Sequence, residues 1–165
     1  SLGLREIIKD ETAAERGARF LSELTQRGCL AQYILYNIDD IQWYQRLCEE
    51  GVVPTLKENL VLLVLGRYSN EGYQTNNLEQ YLRAFKQPVR WMVCAFGVKE
   101  HEIMRQAILM GGNTRVGFEN NLYLPDGRLA KDNAELVALT ANYAKAVGRA
   151  LADQVQAANL LGGCC

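Results

Sequence analysis

Apolar and polar positions in this chain alternate in blocks. CLAQYILY (29–36), NLVLLVLG (59–66) and VRWMVCAFG (89–97) are short, nearly continuous apolar runs. Runs of that length, rich in β-branched and aromatic residues, read as strands, and NLVLLVLG has the look of a strand buried on both faces. Between them the apolar residues fall three and four apart. In IDDIQWYQRLCEEG, residues Ile41, Tyr44, Leu47 and Cys48 form a helical stripe, with Asn37 and Asp39 offering cap chemistry before it and Gly51 a stop after it. A first helix is expected over Thr12 to Gln26, where Phe20, Leu21 and Leu24 share a face and Gly28 follows. Further helices are expected around Asn77 to Phe85, in KEHEIMRQAILMGG, and in NAELVALTANYAKAVGRAL. In that last helix Asn133 is the expected cap, and Leu136, Leu139, Tyr143 and Val147 supply apolar positions. TRVGF reads as a fourth strand, and LPDGRL as a loop.

The order is therefore a helix, four successive βα units and a small helical tail. Strands that alternate with helices are parallel, with right-handed crossovers. Either a doubly wound sheet or part of a (β/α)8 barrel satisfies this. A dinucleotide-binding sheet carries a Gly-rich turn after its first strand, but YNIDDI is not GxGxxG, and no Walker pattern occurs. Each strand is followed by polar residues at its C-terminal end, the layout of a barrel. The expected fold is α/β, the C-terminal half of a TIM barrel, with residues 1–165 as a single partial domain. Four units leave two open edge strands, so the half is expected to be a fragment or to need a partner.

Composition changes this picture little. With 48% hydrophobic and 22% charged residues among 165, the chain suits a soluble globular domain. A formal net charge of −1 without a basic stripe gives no reason to expect nucleic acid or an anionic membrane as a partner. No apolar run is long enough for a membrane span, and the N-terminus lacks a signal-peptide layout. Cys29, Cys48, Cys94, Cys164 and Cys165 are odd in number and contain no CxxC, which suits buried thiols in a reducing cytoplasm.

Candidate chemistry gathers at the end of the fourth strand. Strand alternation would put Arg115, Gly117 and Glu119 on one face. Glu119 could bind a divalent metal, act as a base, or be a solvated loop carboxylate. Arg115 either pairs with Glu119 or grips an anionic substrate with its forked guanidinium. His101 is the one histidine of the sequence and has no companion at ligand spacing, so a capping or surface role is expected. Arg67, Tyr68, Ser69 and Asn70 after the second strand could hold phosphate or carboxylate, and loop polarity explains them equally well. Gly111 and Gly112 stop the preceding helix.

GGNTRVGFENNLYLPDGRLAKDNAELV (111–137) resembles the last strand and loop of the β-keto acid cleavage enzymes, zinc-dependent TIM barrels in which the segment runs GGHVRVGLEDN, then an LY-rich loop and SNAELV. LVLG with its glycine-containing loop and RWMVCAFG with its helix follow the family's order, while the first 60 residues match more loosely. The resemblance implies a retro-Claisen-like exchange: a β-keto acid and acetyl-CoA (or another acyl-CoA) give acetoacetate and a new CoA thioester. Zinc polarises the keto carbonyl there, held by two histidines of an early strand and by the motif glutamate, which corresponds to Glu119. The motif arginine corresponds to Arg115. Two acid/base carboxylates correspond to Asn120 and, more loosely, Gln32. Both are amides here and cannot exchange protons as carboxylates do. Asn113 replaces the motif histidine, and the early histidine pair is absent from this sequence. The expectations are an enzyme of the β-keto acid and acyl-CoA class, with zinc, in the cytoplasm, self-associating or completed by an N-terminal half, and inactive as this chain alone. The alternatives are a non-catalytic relative serving as a binding or assembly module and, more remotely, an unrelated phosphate-binding half barrel.

Overall fold

A computed structural model describes residues 11–54, 59–66 and 77–160. Helix α1 spans Glu11–Gln26, strand β1 Gln32–Leu35, helix α2 Ile38–Glu49 and strand β2 Leu60–Leu65. Helix α3 (Leu78–Arg83) and strand β3 (Arg90–Ala95) follow, then a 3-10 turn (Gly97–Lys99) running into helix α4 (Glu100–Leu109). Strand β4 (Asn113–Thr114) and helices α5 (Asn133–Ala146) and α6 (Gln154–Leu160) complete the order. The strands form one parallel sheet in sequence order, β1-β2-β3-β4, alternating with helices, as in part of a (β/α)8 barrel. Strict sequence order is what a barrel requires, whereas a doubly wound sheet reverses its order at a switch point.

By compactness the chain divides into two units. The first holds residues 1–62, 81–90 and 152–165, and the second 63–80 and 91–151. In the first unit Ala13, Gly17 and Leu21 form the buried line of α1, four residues apart on one helical face. Phe20, expected on the buried face, is 57% exposed. Asn37 caps α2, its side chain accepting from the Asp40 backbone N–H. Asp40 in turn, not Asp39, reaches back to the Tyr36 N–H at 2.9 Å. Ile41, Tyr44 and Leu47 are buried as the stripe predicts, and the Tyr33 and Tyr44 rings pack at 5.2 Å. Tyr81 donates its hydroxyl to Tyr36 O at 2.6 Å. Arg90 donates to the Asn159 and Leu160 carbonyls, satisfying orphan acceptors at the end of α6.

The second unit is organised around β3 and β4, which pair Met92 with Asn113 and Val93 with Thr114. Helix α4 ends in a left-handed Gly111 (φ +81°), with Gly112 N–H donating to Ala107 O. Gly112 is buried against the Trp91 ring, which any Cβ there would overlap. The two glycines thus stop the helix as expected, and the second also permits a close approach. Arg149 donates to the Ile108, Gly111 and Gly112 carbonyls, placing a cation on the C-terminal end of α4. Beyond β4, Leu124, Ala130 and Leu136 cluster with Val116 and Leu139.

Three expectations change here. TRVGF is not a five-residue strand: ladder geometry stops at Thr114, and the chain turns at 117–120. Asp132, not Asn133, caps α5 by accepting from the Glu135 N–H, and Asn133 Oδ1 accepts from the Phe118 N–H instead. Helix α5 ends at Ala146, so Val147 lies outside it, 48% exposed. Arg67, Tyr68, Ser69 and Asn70 lie outside the described residues, as do Cys164 and Cys165.

Candidate functional site

The turn after β4 is built by hydrogen bonds that a strand would not make. Arg115 N–H still donates to Val93 O at 2.8 Å, so the parallel pairing carries one residue past β4. Gly117 O then accepts from both Asn120 and Asn121 N–H, closing a tight turn. Asn120 O accepts from the Gly97 N–H at 3.0 Å, which ties the turn to the segment leaving β3. Glycine suits position 117 because its φ is +156°, which L side chains rarely adopt; a Cβ there would meet Asn133 Oδ1 only at ordinary contact distance.

This turn places three of the four anticipated residues together. Arg115 reaches Glu119 at 3.5 Å, and the same nitrogen lies 3.5 Å from Cys94 Sγ on β3. Alternation along a strand is not the cause, since the chain has left β geometry; the turn folds Glu119 back. At 3.5 Å the ion pair is loose, and the Glu119 side chain is 72% exposed, so the contact contributes little to stability. Glu119 is thereby available to a ligand. Asn120 is buried beside it, and its Nδ2 has no hydrogen-bond partner among the described residues; Arg115 Nε is a second such buried donor. A buried donor left open costs roughly 1–3 kcal/mol, and retained open donors mark places where something else can accept. Gln32 is exposed at the first position of β1, in the first unit.

A second polar group beneath the turn escapes the sequence. Glu100, the first residue of α4, is fully buried, as is most of His101. Asn121 binds both segments: its Nδ2 donates to Glu100 Oε2 at 3.0 Å and to Tyr123 O at 2.7 Å, and its Oδ1 accepts from Tyr123 N–H at 3.0 Å. His101 Nε2 lies 2.7 Å from Tyr123 O. A carbonyl only accepts, so Nε2 carries the proton, and its 3.4 Å approach to Asn121 Nδ2 sets two donors side by side rather than a hydrogen bond. His101 is therefore a buried anchor for the turn, not the surface or capping residue expected. Burial pushes the Glu100 carboxyl up to about 7, although the Asn121 bond works the other way. In sequence KEHEIM resembles a solvated charge cluster, and no signal there distinguishes Glu100 from Glu102.

The donor set for a metal is incomplete. Among the described residues no three His, Cys, Asp or Glu side chains converge on one point. Glu119 is a single exposed carboxylate, and one carboxylate does not hold a catalytic zinc. Burial raises the Cys94 thiol, with Arg115 opposing, and burial likewise raises Cys48. Neither behaves as an activated nucleophile. Cys29 is exposed rather than buried. No helix among the described residues is long and apolar enough to cross a membrane.

The chain was compared with known proteins. It is 42% identical over 71 residues to a 3-keto-5-aminohexanoate cleavage enzyme of Fusobacterium nucleatum, covering 43% of this chain and 26% of that protein. With the enzyme of the same name from Acetoanaerobium sticklandii it shares 41% identity over 118 residues, or 71% of this chain and 42% of that protein. A 3-dehydrocarnitine:acetyl-CoA trimethylamine transferase of Rhizobium meliloti is 28% identical over 129 residues, covering 76% of the chain and 41% of its own length. The matched segments thus span less than half of each of these curated relatives. The model of the beta-keto acid cleavage enzyme family matches residues 7–162. With RVGFEN folded into a turn at the end of the last parallel strand, and that match running over nearly the whole sequence, the chain belongs to the beta-keto acid cleavage enzyme family.

Proposed function

We propose that this chain forms the part of a β-keto acid cleavage enzyme that binds and orients the reacting groups, in an exchange between a β-keto acid and acetyl-CoA that yields acetoacetate and a new acyl-CoA. The observation that carries the reading is the turn 115–121, where Arg115 and Glu119 meet and two buried donors, Arg115 Nε and Asn120 Nδ2, stand open. An anionic substrate supplies the acceptors these donors lack. The guanidinium meets a carboxylate or a developing oxyanion, and the Asn120 amide adds a hydrogen bond without taking a proton. The names of the relatives support this class, one describing cleavage of a 3-keto acid and another the use of acetyl-CoA.

Zinc belongs to this reading only as a proposal. The described residues do not fit a complete zinc site, so Glu119 would be one ligand and the others must come from elsewhere. The test uses the full-length gene product. Acetyl-CoA-dependent consumption of a β-keto acid is expected, with a loss of about 100-fold or more in kcat/KM for Arg115→Ala. Bound zinc is expected by elemental analysis, and Glu119→Ala is expected to lose it. Absence of turnover and of zinc in a folded protein would sink the reading.

One observation favours a second reading, a non-catalytic relative that acts as a binding or assembly module. Asn120 and Gln32 stand where the resemblance calls for proton-exchanging carboxylates. On this reading Asn120→Asp leaves the protein inert, whereas for a weak enzyme it raises turnover.

A further inference from the structure

The buried carboxyl of Glu100 has no place in the binding roles just described, yet it is one bond removed from them. It lies on the first turn of α4, fully inaccessible to solvent, and one of its oxygens, Oε2, accepts from Asn121. The other, Oε1, has no partner among the described residues. Asn121 directly follows Glu119 and Asn120, and its three polar hydrogen bonds, to Glu100, Tyr123 O and Tyr123 N–H, use its whole side chain. Both Nδ2 protons are spent, so the orientation of the amide is determined by where Glu100 stands. His101, from the same turn of α4, grips the Tyr123 carbonyl beside it. On the far side of the turn, Gly97 N–H holds Asn120 O. The segment 97–101 thus clamps the Asn120–Tyr123 side of the turn that carries Glu119, while Asn133 of α5 holds its Phe118 N–H.

We propose that Glu100 is a positioning residue of the site: acting through Asn121, its buried carboxyl fixes the turn that presents Glu119 and Asn120. The inference rests on the proposed function for its catalytic consequence but not for its structural one. A carboxyl is an expensive acceptor in such a place, because the interior penalises its charged form, and an amide of the same shape accepts equally well. The acceptor oxygen, not the charge, is what the turn requires. Burial is the larger influence on this carboxyl, and the Asn121 hydrogen bond opposes it.

Three substitutions in the full-length gene product test this: Glu100→Gln, which keeps the acceptor, Glu100→Met, which keeps the volume and removes it, and Asn121→Ala, which removes the relay. Hydrogen exchange reads the clamp directly. Glu100→Met and Asn121→Ala are expected to lose protection at the 97 and 120–123 amides while β2 and β3 stay protected, and Glu100→Gln is expected to keep it. In kinetics, Glu100→Met is expected to lower kcat by about tenfold or more, as loss of an outer-shell partner does, with KM for the CoA thioester within about twofold. Glu100→Gln restores it. The double variant Glu100→Met/Asn121→Ala is expected to lose no more than either single one, because both act through one bond. Unchanged protection of the turn in Glu100→Met, or a Glu100→Gln variant as impaired as Glu100→Met, overturns the proposal. If Glu100→Met does not fold, Asn121→Ala and Glu100→Gln carry the same decision. If the native protein turns over no β-keto acid, the proposed function fails while the exchange experiment still decides the role of Glu100.

Discussion

Strand β2 and the buried side of the turn at 115–121 are built on opposite rules. Every residue of β2, Leu60 to Leu65, is buried and apolar. Its only polar groups are backbone amides, which the sheet pairs. The turn buries Asn120 and Asn121 beside the half-buried Arg115, with Glu100 beneath, and leaves Arg115 Nε, Asn120 Nδ2 and Glu100 Oε1 without partners. Of the five such side-chain atoms among the described residues, one more, Tyr143 Oη, lies in the same unit, and just one, Trp43 Nε1, in the first. Unmet polar groups in an interior cost stability, so their concentration around one turn sets it apart from a strand that only holds the fold, as the proposed binding role requires.

That contrast can be broken by substitution. Leu62→Ala removes a fully buried side chain from β2 and is expected to cost about 3 kcal/mol in denaturant unfolding. A cost below about 1 kcal/mol would mean that β2 is not a packed strand. Glu100→Gln tests the turn by pH. The Glu100 carboxyl is raised in the folded state from 4.5 to about 7, chiefly by burial. Its contribution to stability is therefore fully present below about pH 4.5 and is lost as pH rises through about 7. Relative to the native protein, Glu100→Gln should gain about 3 kcal/mol between pH 4.5 and 8, followed by thermal melts across that range. A pH-independent difference would show that Glu100 is not a buried acid. Asn120→Leu replaces an open donor by an apolar group and should leave stability unchanged or raise it by about 1 kcal/mol, at the expense of substrate binding measured by calorimetry. A clear destabilisation would place Asn120 among the structural residues. Lys86→Ala cuts an exposed 2.7 Å ion pair with Glu49 and should change stability by no more than about 0.5 kcal/mol.

The elements were legible in the sequence to the extent that burial followed period. The β2 run, the α2 stripe and its Asn37 cap appear in the structure where the pattern puts them. Legibility failed where backbone and side chain compete for the same hydrogen bonds. TRVGF has strand composition, but Gly117 O accepts two turn N–H groups and Thr114 ends β4. Asp132 and Asn133 are both good caps, and the choice was settled by Phe118, whose N–H occupies Asn133. In the site, the family resemblance points to Arg115 and Glu119, but strand parity is not what joins them: a turn brings them together. Glu100, His101 and Asn121 give no sign of burial in the sequence, because a charged or polar residue in a polar run carries no mark of it.

From the sequence alone follow the βα alternation, the parallel strands it implies, the RVGFEN segment and the resemblance carried by it. These depend on local periodicity and on residue identity, which any stretch of chain displays without its neighbours. The tertiary structure alone decided which polar side chains went inside. Only when α4 packs beside the turn after β4 does Glu100 lose water and Asn121 acquire its partners, since desolvation is set by what surrounds a group in space and not by what adjoins it in sequence.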